Sequence, residues 1–132
     1  MASGIKNSEN QNQVKSKKRV TDHGEVFTAE REVNAMLDLV KQETERIDSR
    51  FLEPACGTGN FLVKILERKL KVVETRYAKN QFDYERNAII AIGSMYGVDI
   101  LMDNVEECRE RLFKIFGKQK HIMGRCLNFK NA

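Results

Sequence analysis

Residues 51–61, FLEPACGTGNF, decide the fold that we expect for this chain of 132 residues. The apolar pair Phe51 and Leu52 begins a short stretch that Pro54 ends, which is typical of a β-strand. Two glycines follow in ACGTGN, and glycine adopts backbone conformations that residues with a Cβ resist. Asn60 then opens the helix FLVKILERKLKVV, residues 61–73. The stretch therefore predicts a strand, a glycine turn and the start of a helix.

Apolar spacing on either side of this stretch predicts further elements. Upstream, residues 29–47 form a helix that Thr28 caps. Downstream, residues 88–97, AIIAIGSMYG, form a helix that ends near Gly97, and VDI, residues 98–100, form a second strand. Residues 103–117 form a last helix, which Asp103 or Asn104 caps. This alternation favours an α/β fold with parallel strands joined by right-handed crossovers. The stripe expected to face the core in residues 29–47 is Val33, Met36, Leu37, Val40 and Ile47.

An acidic residue lies at or next to the carboxyl end of each predicted strand, where parallel sheets bind ligands. Glu53 can accept a hydrogen bond from an ammonium group, and Gly57 and Gly59 allow a ligand to lie against bare backbone. A dinucleotide fingerprint, G-x-G-x-x-G, would require a third glycine where Leu62 stands, and the preceding acid would repel a pyrophosphate. The pattern therefore favours S-adenosylmethionine (SAM) over NAD.

Asp99 is the second predicted anchor for this cofactor. Its carboxylate can accept from both ribose hydroxyls, and Ile100 can lie against the adenine ring. Alternatively, Asp99 only caps the following helix, for which Asp103 and Asn104 are better placed. Forty residues separate Asp99 from Gly59, against roughly twenty in a simple nucleotide-binding unit. An inserted helix around residues 80–94 explains the excess.

Three segments together resemble a known family. Residues 18–40, 51–70 and 96–112 look like the opening of an adenine-specific DNA methyltransferase of restriction-modification systems, in the amino-methyltransferase class. The resemblance implies a Rossmann-like SAM-dependent fold and methylation of adenine N6 in double-stranded DNA. Ala29 departs from the family, which usually has Pro there. The cofactor-binding residues that the resemblance implies are Phe27, Thr28, Glu53, Pro54, Ala55, Cys56, Gly57, Thr58, Gly59, Phe61, Asp99 and Ile100.

The catalytic motif of that family, Asn or Asp followed by Pro, Pro and an aromatic residue, has no counterpart here. Pro54 is the sole proline, so we assign no catalytic residue. We expect a fold truncated after its first two or three strands, with a SAM-binding part at residues 20–117 and a truncated segment at 118–132, in which residues 121–123 could begin a strand. Three interpretations remain open: a gene fragment, one piece of a split enzyme whose second chain carries the motif, and a non-enzymatic SAM-binding or regulatory module.

Charge and composition add weaker indications. Residues 1–19 hold five basic residues and one acid. The net charge of this segment therefore equals the +4 of the whole chain. This basic tail is either a disordered, solvated terminus or an arm that contacts DNA phosphates. No apolar run approaches the roughly 20 residues of a membrane span, and no secretory signal is visible, so we expect a cytoplasmic location. The three scattered cysteines predict neither a disulfide nor a metal site, and Cys56 is more typical of a packed loop residue than of a nucleophile.

Overall fold

The computed structural model describes residues 13–119, which form six helices and two short strands within that range. Helix α4 is the longest element and packs against α2, α5 and α6. The elements in chain order are α1 (Lys17–His23), α2 (Glu30–Asp38), α3 (Lys41–Thr44), β1 (Phe51–Glu53), α4 (Asn60–Tyr77), α5 (Gln81–Gly93), β2 (Met95–Gly97) and α6 (Met102–Gly117).

The two strands form a parallel sheet, which agrees with the predicted α/β class. Phe51 lies opposite Met95, and Glu53 lies opposite Gly97. Because parallel strands need a long crossover, the chain connects them through α4 and α5. Helix α5 is the inserted helix predicted around residues 80–94. The described residues contain this small sheet and no further strand, so the larger Rossmann-like sheet stays a prediction.

The second strand was predicted three residues too late. The chain pairs with β1 at Met95–Gly97 and not at residues 98–100, and α5 ends at Gly93 and not near Gly97. Ser94 causes the change of direction, because its hydroxyl donates to the carbonyl of Ala91 at 2.7 Å while its own carbonyl accepts from the Phe51 N–H at 3.0 Å. The apolar spacing resumes after Gly93 and Ser94 at Met95 and Tyr96, so it does not mark this break in the sequence.

The single helix predicted over residues 29–47 is also wrong, because the chain leaves helical geometry at Val40 (φ −120°, ψ 33°). After this break, α3 turns Thr44 into the interior. Val40 and Met36, predicted to be buried, are 44% and 53% exposed. The remaining members of the predicted stripe, Val33, Leu37 and Ile47, are buried.

The predicted helix caps differ as well. Ala29, and not Thr28, precedes the first residue of α2, and it makes no side-chain capping bond. Leu101 precedes α6, so Asp103 and Asn104 lie inside its first turn. Both side chains bond to the N-terminal segment instead, as described below.

Two hydrophobic clusters flank α4, which supplies side chains to both. The cluster beside the glycine turn also contains residues from α2 and α6, and the other joins α4 to α5. The first cluster consists of Val33, Leu37, Cys56, Leu62, Ile65 and Cys108, and the second of Ile47, Leu66, Leu70, Val73, Tyr84, Ala88 and Ala91.

The two terminal segments predicted from the sequence lie partly or wholly outside the described residues 13–119. Residues 17–19 belong to α1, whose N-terminus Ser16 caps by accepting from the Arg19 N–H at 3.1 Å. The disordered tail predicted for residues 1–19 therefore does not extend through Arg19, and residues 1–12 lie outside the described range. The possible strand at residues 121–123 also lies outside it. Within residues 13–119, no helix is both long and apolar enough to cross a membrane.

Candidate functional site

The loop between β1 and α4 continues the pairing of the two strands past their ends. The Val98 N–H donates to the carbonyl of Glu53 at 3.0 Å, and the Cys56 N–H donates to that of Val98 at 2.9 Å. The Gly59 N–H then closes a turn onto the Cys56 carbonyl at 2.9 Å, and helix α4 begins. This ladder fixes the loop beside the segment that follows β2.

Both loop glycines have positive φ angles, 54° for Gly57 and 92° for Gly59, which glycine adopts without the strain of a Cβ. Other side chains of the protein also occupy the space into which a Cβ at either glycine would project. A Cβ on Gly57 would lie 3.0 Å from Cε1 of Phe27, and one on Gly59 would lie 2.6 Å from Sγ of Cys108. The glycines are therefore required by internal packing, whatever lies against the outer face of the loop.

Asp99 joins the two predicted halves of the site. Its Oδ2 accepts from the Gly57 N–H at 3.0 Å, and its Oδ1 accepts from the Leu101 N–H at 2.8 Å and from Nδ2 of Asn104 at 3.4 Å. Asp99 thus holds the turn before α6, a role that we had expected of Asp103 or Asn104. Ile100 beside it is 82% exposed.

Glu53 stands at the end of β1, and its Oε1 accepts from the Ala55 N–H at 3.2 Å. The same side chain lines a groove whose other walls are apolar, while Pro54 and Ala55 are exposed. The apolar residues of this groove are Met36, Leu37, Val40, Phe51, Leu52, Phe61, Leu62 and Ile65.

The segment before α2 reaches the same loop. The ring of Phe27 covers Gly57, and the carbonyl of Thr28 accepts from Nδ2 of Asn60 at 3.0 Å. The structure therefore brings Phe27 to the glycine loop and Thr28 to the first residue of α4, although these segments are far apart in the sequence.

Arg111 is a residue of this site that sequence reasoning missed. From α6, its Nη1 donates to the carbonyl of Thr58 at 2.9 Å, to Oγ1 of Thr58 at 3.3 Å and to Oδ1 of Asn60 at 2.7 Å. No pattern in the sequence distinguishes Arg111 from the other charged residues of this helix, so only the packing of α6 against α4 identifies it.

The two cysteines of the site are free, buried thiols. Burial raises the pKa of Cys56 to about 11, and the neighbouring Cys108 adds to that effect. Burial also raises the pKa of Cys108. The thiolate is the nucleophilic form of cysteine, and a raised pKa disfavours it. Cys56 is therefore better suited to packing in the loop than to nucleophilic attack.

An ionic network fastens residues 15–25 to the start of α6. Arg19 Nη1 lies 2.5 Å from Oδ2 of Asp103, and its Nε lies 2.8 Å from Oε1 of Glu25. Asn104 donates from Nδ2 to Glu25 Oε2 at 2.6 Å, and Lys15 Nζ lies 3.1 Å from Oε2 of Glu107. The hydrogen bond from Arg19 holds the pKa of Asp103 well below its usual value. Two positive charges of the basic tail are thus engaged with acids of the protein itself.

Within the described part of the chain, no group of three or more His, Cys, Asp or Glu side chains is arranged to hold a metal ion. Among protein families, the model described as MmeI, DNA-methyltransferase domain, matches residues 13–113 of the chain. No curated protein matches the chain. No solved structure matches it.

Proposed function

The chain belongs to the MmeI DNA-methyltransferase domain family, and we propose that it holds S-adenosylmethionine at the glycine loop for transfer of a methyl group to DNA. The hydrogen bond between the Gly57 N–H and Asp99 is the observation that carries this proposal. It joins the segments beyond two adjacent parallel strands, where α/β proteins bind their ligands.

The chemistry of the residues around this bond fits the proposed cofactor. Each oxygen of a carboxylate has two lone pairs, and the bonds from Gly57, Leu101 and Asn104 use three of the four. Asp99 can therefore hold the loop and still accept from one ribose hydroxyl. Exposed Ile100 offers an apolar surface to the adenine ring. Glu53 is the acceptor for the ammonium of the methionine part, at the side of the loop that faces Phe61. Phe27 and Thr28 close the methionine end.

The remaining residues of the loop have supporting roles in this proposal. Pro54 and Ala55 present an exposed edge, along which the cofactor would lie. Cys56 and Thr58 are buried beneath the loop and set its shape, and Gly59 turns the chain into α4. When bound, SAM supplies an electrophilic methyl group on a sulfonium.

We further propose that the acceptor is the exocyclic N6 amino group of adenine in double-stranded DNA. Enzymes that act on a base extrude it into a pocket that grips its edge and stacks on its ring. The Asn/Asp-Pro-Pro-aromatic motif that does so in this class needs two prolines, whereas these 132 residues contain one. We therefore assign donor binding to this chain and the gripping of the base to a further segment or a second chain.

An exposed apolar surface on the sheet favours a second polypeptide that binds this chain over a non-enzymatic module. Leu52, Tyr96 and Val98 of the sheet and the segment after it are 67%, 53% and 54% exposed. Parallel sheets are normally covered on both faces, so a polypeptide that covers this apolar surface is expected. A regulatory module that binds SAM without transferring its methyl group is the alternative.

Calorimetric titration with SAM tests the cofactor assignment. We expect one-to-one binding to the wild-type chain and at least a tenfold loss for Asp99→Ala, because that change removes both the ribose acceptor and the bond to the loop. Asp22→Ala is the matched control, since Asp22 is an exposed acid on α1. A wild-type chain that is folded by circular dichroism but does not bind SAM would show the assignment to be wrong.

The division of labour needs a second assay. Radiolabelled methyl transfer to adenine-containing DNA should be undetectable with this chain alone, even at saturating SAM. Methyl transfer by the purified chain would place the catalytic groups among these 132 residues, contrary to the proposal.

A further inference from the structure

Asn60 is the point at which three separated parts of the chain meet. Its side-chain Oδ1 accepts from Arg111 of α6 at 2.7 Å, and its Nδ2 donates to the carbonyl of Thr28 at 3.0 Å. The same Arg111 nitrogen also donates to both oxygens of Thr58 in the glycine loop. One relay of hydrogen bonds therefore runs from α6 through the loop to the segment before α2.

We infer that Arg111 and Asn60 are positioning residues, which hold the glycine loop and the Phe27–Thr28 segment at the separation that SAM requires. This inference rests on the proposed function. It assigns to two side chains outside the predicted cofactor contacts the task of setting the distance between the two halves of the site.

The polarity of the relay gives each residue a distinct task. An amide side chain has one accepting end and one donating end. Because a guanidinium only donates, Arg111 fixes the carbonyl end of Asn60 towards itself, which leaves the amino end to donate to Thr28. Without Arg111 the amide could turn over, and the Thr28 carbonyl would lose its donor. The orientation of Thr28 therefore depends on a residue that does not contact it.

The location of Arg111 argues against a contribution to helix stability alone. Its guanidinium bonds to Asn60, the first residue of α4, and a helix N-terminus favours negative charge, so a cation there is unfavourable. Bonds from its Nη1 to Thr58 and Asn60 compensate.

Two substitutions separate the two halves of the relay. Arg111→Met removes the hydrogen bonds of the guanidinium to Thr58 of the loop and to Asn60. Asn60→Asp keeps the oxygen that accepts from Arg111 but replaces the donor to Thr28 with a second acceptor. Arg109→Met is the control, because Arg109 is an exposed arginine on the same helix. Arg111→Lys tests whether a cation of different geometry restores the function.

Hydrogen–deuterium exchange of the ligand-free chain tests the relay itself. We expect Arg111→Met to raise exchange in peptides covering residues 55–63 and 26–33, and Asn60→Asp to raise it mainly in 26–33. Arg109→Met should change neither. Unchanged exchange in both segments for the two relay variants would overturn the inference, even if SAM binds. Should Arg111→Met fail to fold, the exchange pattern of Asn60→Asp decides.

Calorimetric titration then tests whether the relay positions the cofactor segments. SAM affinity should fall about tenfold or more for Arg111→Met, fall less for Asn60→Asp, recover in part for Arg111→Lys and stay unchanged for Arg109→Met. Equal affinity in all four variants would overturn the positioning role. A folded wild-type chain that shows the expected exchange pattern but no SAM binding would instead contradict the proposed function.

Discussion

The backbone N–H of Gly57 donates to Oδ2 of Asp99 at 3.0 Å, although 42 residues separate them. This bond fixes the glycine loop to the segment that follows the second strand. The ring of Phe27 also packs against this glycine. Gly57 is thus enclosed by two residues from distant parts of the chain, and its conformation determines how those parts meet.

We predict that Gly57→Ala destabilises the chain by about 1–2 kcal/mol, because a residue with a Cβ is strained at positive φ. The new Cβ would also press on Phe27 at 3.0 Å. Urea unfolding measures the change. Gly93→Ala is the control, since no atom lies within 4 Å of a Cβ there, and it should be neutral or stabilising by up to about 1 kcal/mol. Equal stability of the two variants would contradict the packing argument.

The sequence was sufficient to predict the glycine loop, the first strand, the start of α4 at Asn60 and the inserted helix, because glycines, Pro54 and apolar spacing are local signals. It did not reveal the break at Val40 or the early end of α5 at Gly93, since both lie in runs whose apolar spacing continues through the turn. Arg111 and Cys108 could not be found at all. Their importance comes from contacts between α6 and the loop, which no local pattern encodes.

Cys56 should react slowly with alkylating reagents. A pKa raised to about 11 by burial lowers the thiolate fraction at pH 8 by about 100-fold relative to an ordinary cysteine. Iodoacetamide treatment at pH 8, followed by mass spectrometry of the peptide containing Cys56, measures the rate. The same peptide in urea is the control and should react at least that much faster. Similar rates in both conditions would favour a nucleophilic role for Cys56.

Asp103→Asn should loosen residues 15–25 from α6. The pKa of Asp103 is held well below its usual value, first by the hydrogen bond from Arg19. A group whose folded-state pKa is lowered stabilises the fold above its ordinary pKa, and this stabilisation is lost as the pH falls through the lowered value. The difference in unfolding free energy between wild type and Asp103→Asn should therefore be constant above about pH 5 and shrink below pH 4.

Urea unfolding at pH 7, 4 and 3 measures this difference, with Asp22→Asn as the control acid on α1. Because Asp103 is about half exposed, 0.5 M salt, an ionic strength at which exposed charges are strongly screened, should also reduce the effect. A difference that persists unchanged at pH 3 would mean that packing, and not charge, fastens the segment.

Lys69 is fully buried in α4, where its ammonium donates to the carbonyls of Ile47 and Ser49 and to the hydroxyl of Ser94. These acceptors precede the two strands, so Lys69 ties together the ends of the sheet opposite the glycine loop. Within residues 13–119 no acidic side chain forms an ion pair with it. Burial lowers its pKa from 10.5 to about 8.

The sign of the resulting pH dependence is opposite to that of Asp103. Between pH 8 and 10.5 the unfolded chain binds more protons at Lys69 than the folded chain does, so stability rises with pH across this window. From pH 8 to 10, wild type should gain about 2 kcal/mol of unfolding free energy relative to Lys69→Met. Comparing the two chains cancels the titration of the cysteines and tyrosines, which they share. Lys71→Met, an exposed position on the same helix, should show no such gain. A flat difference for Lys69→Met would mean that the three oxygen acceptors compensate for burial and keep the ammonium charged throughout.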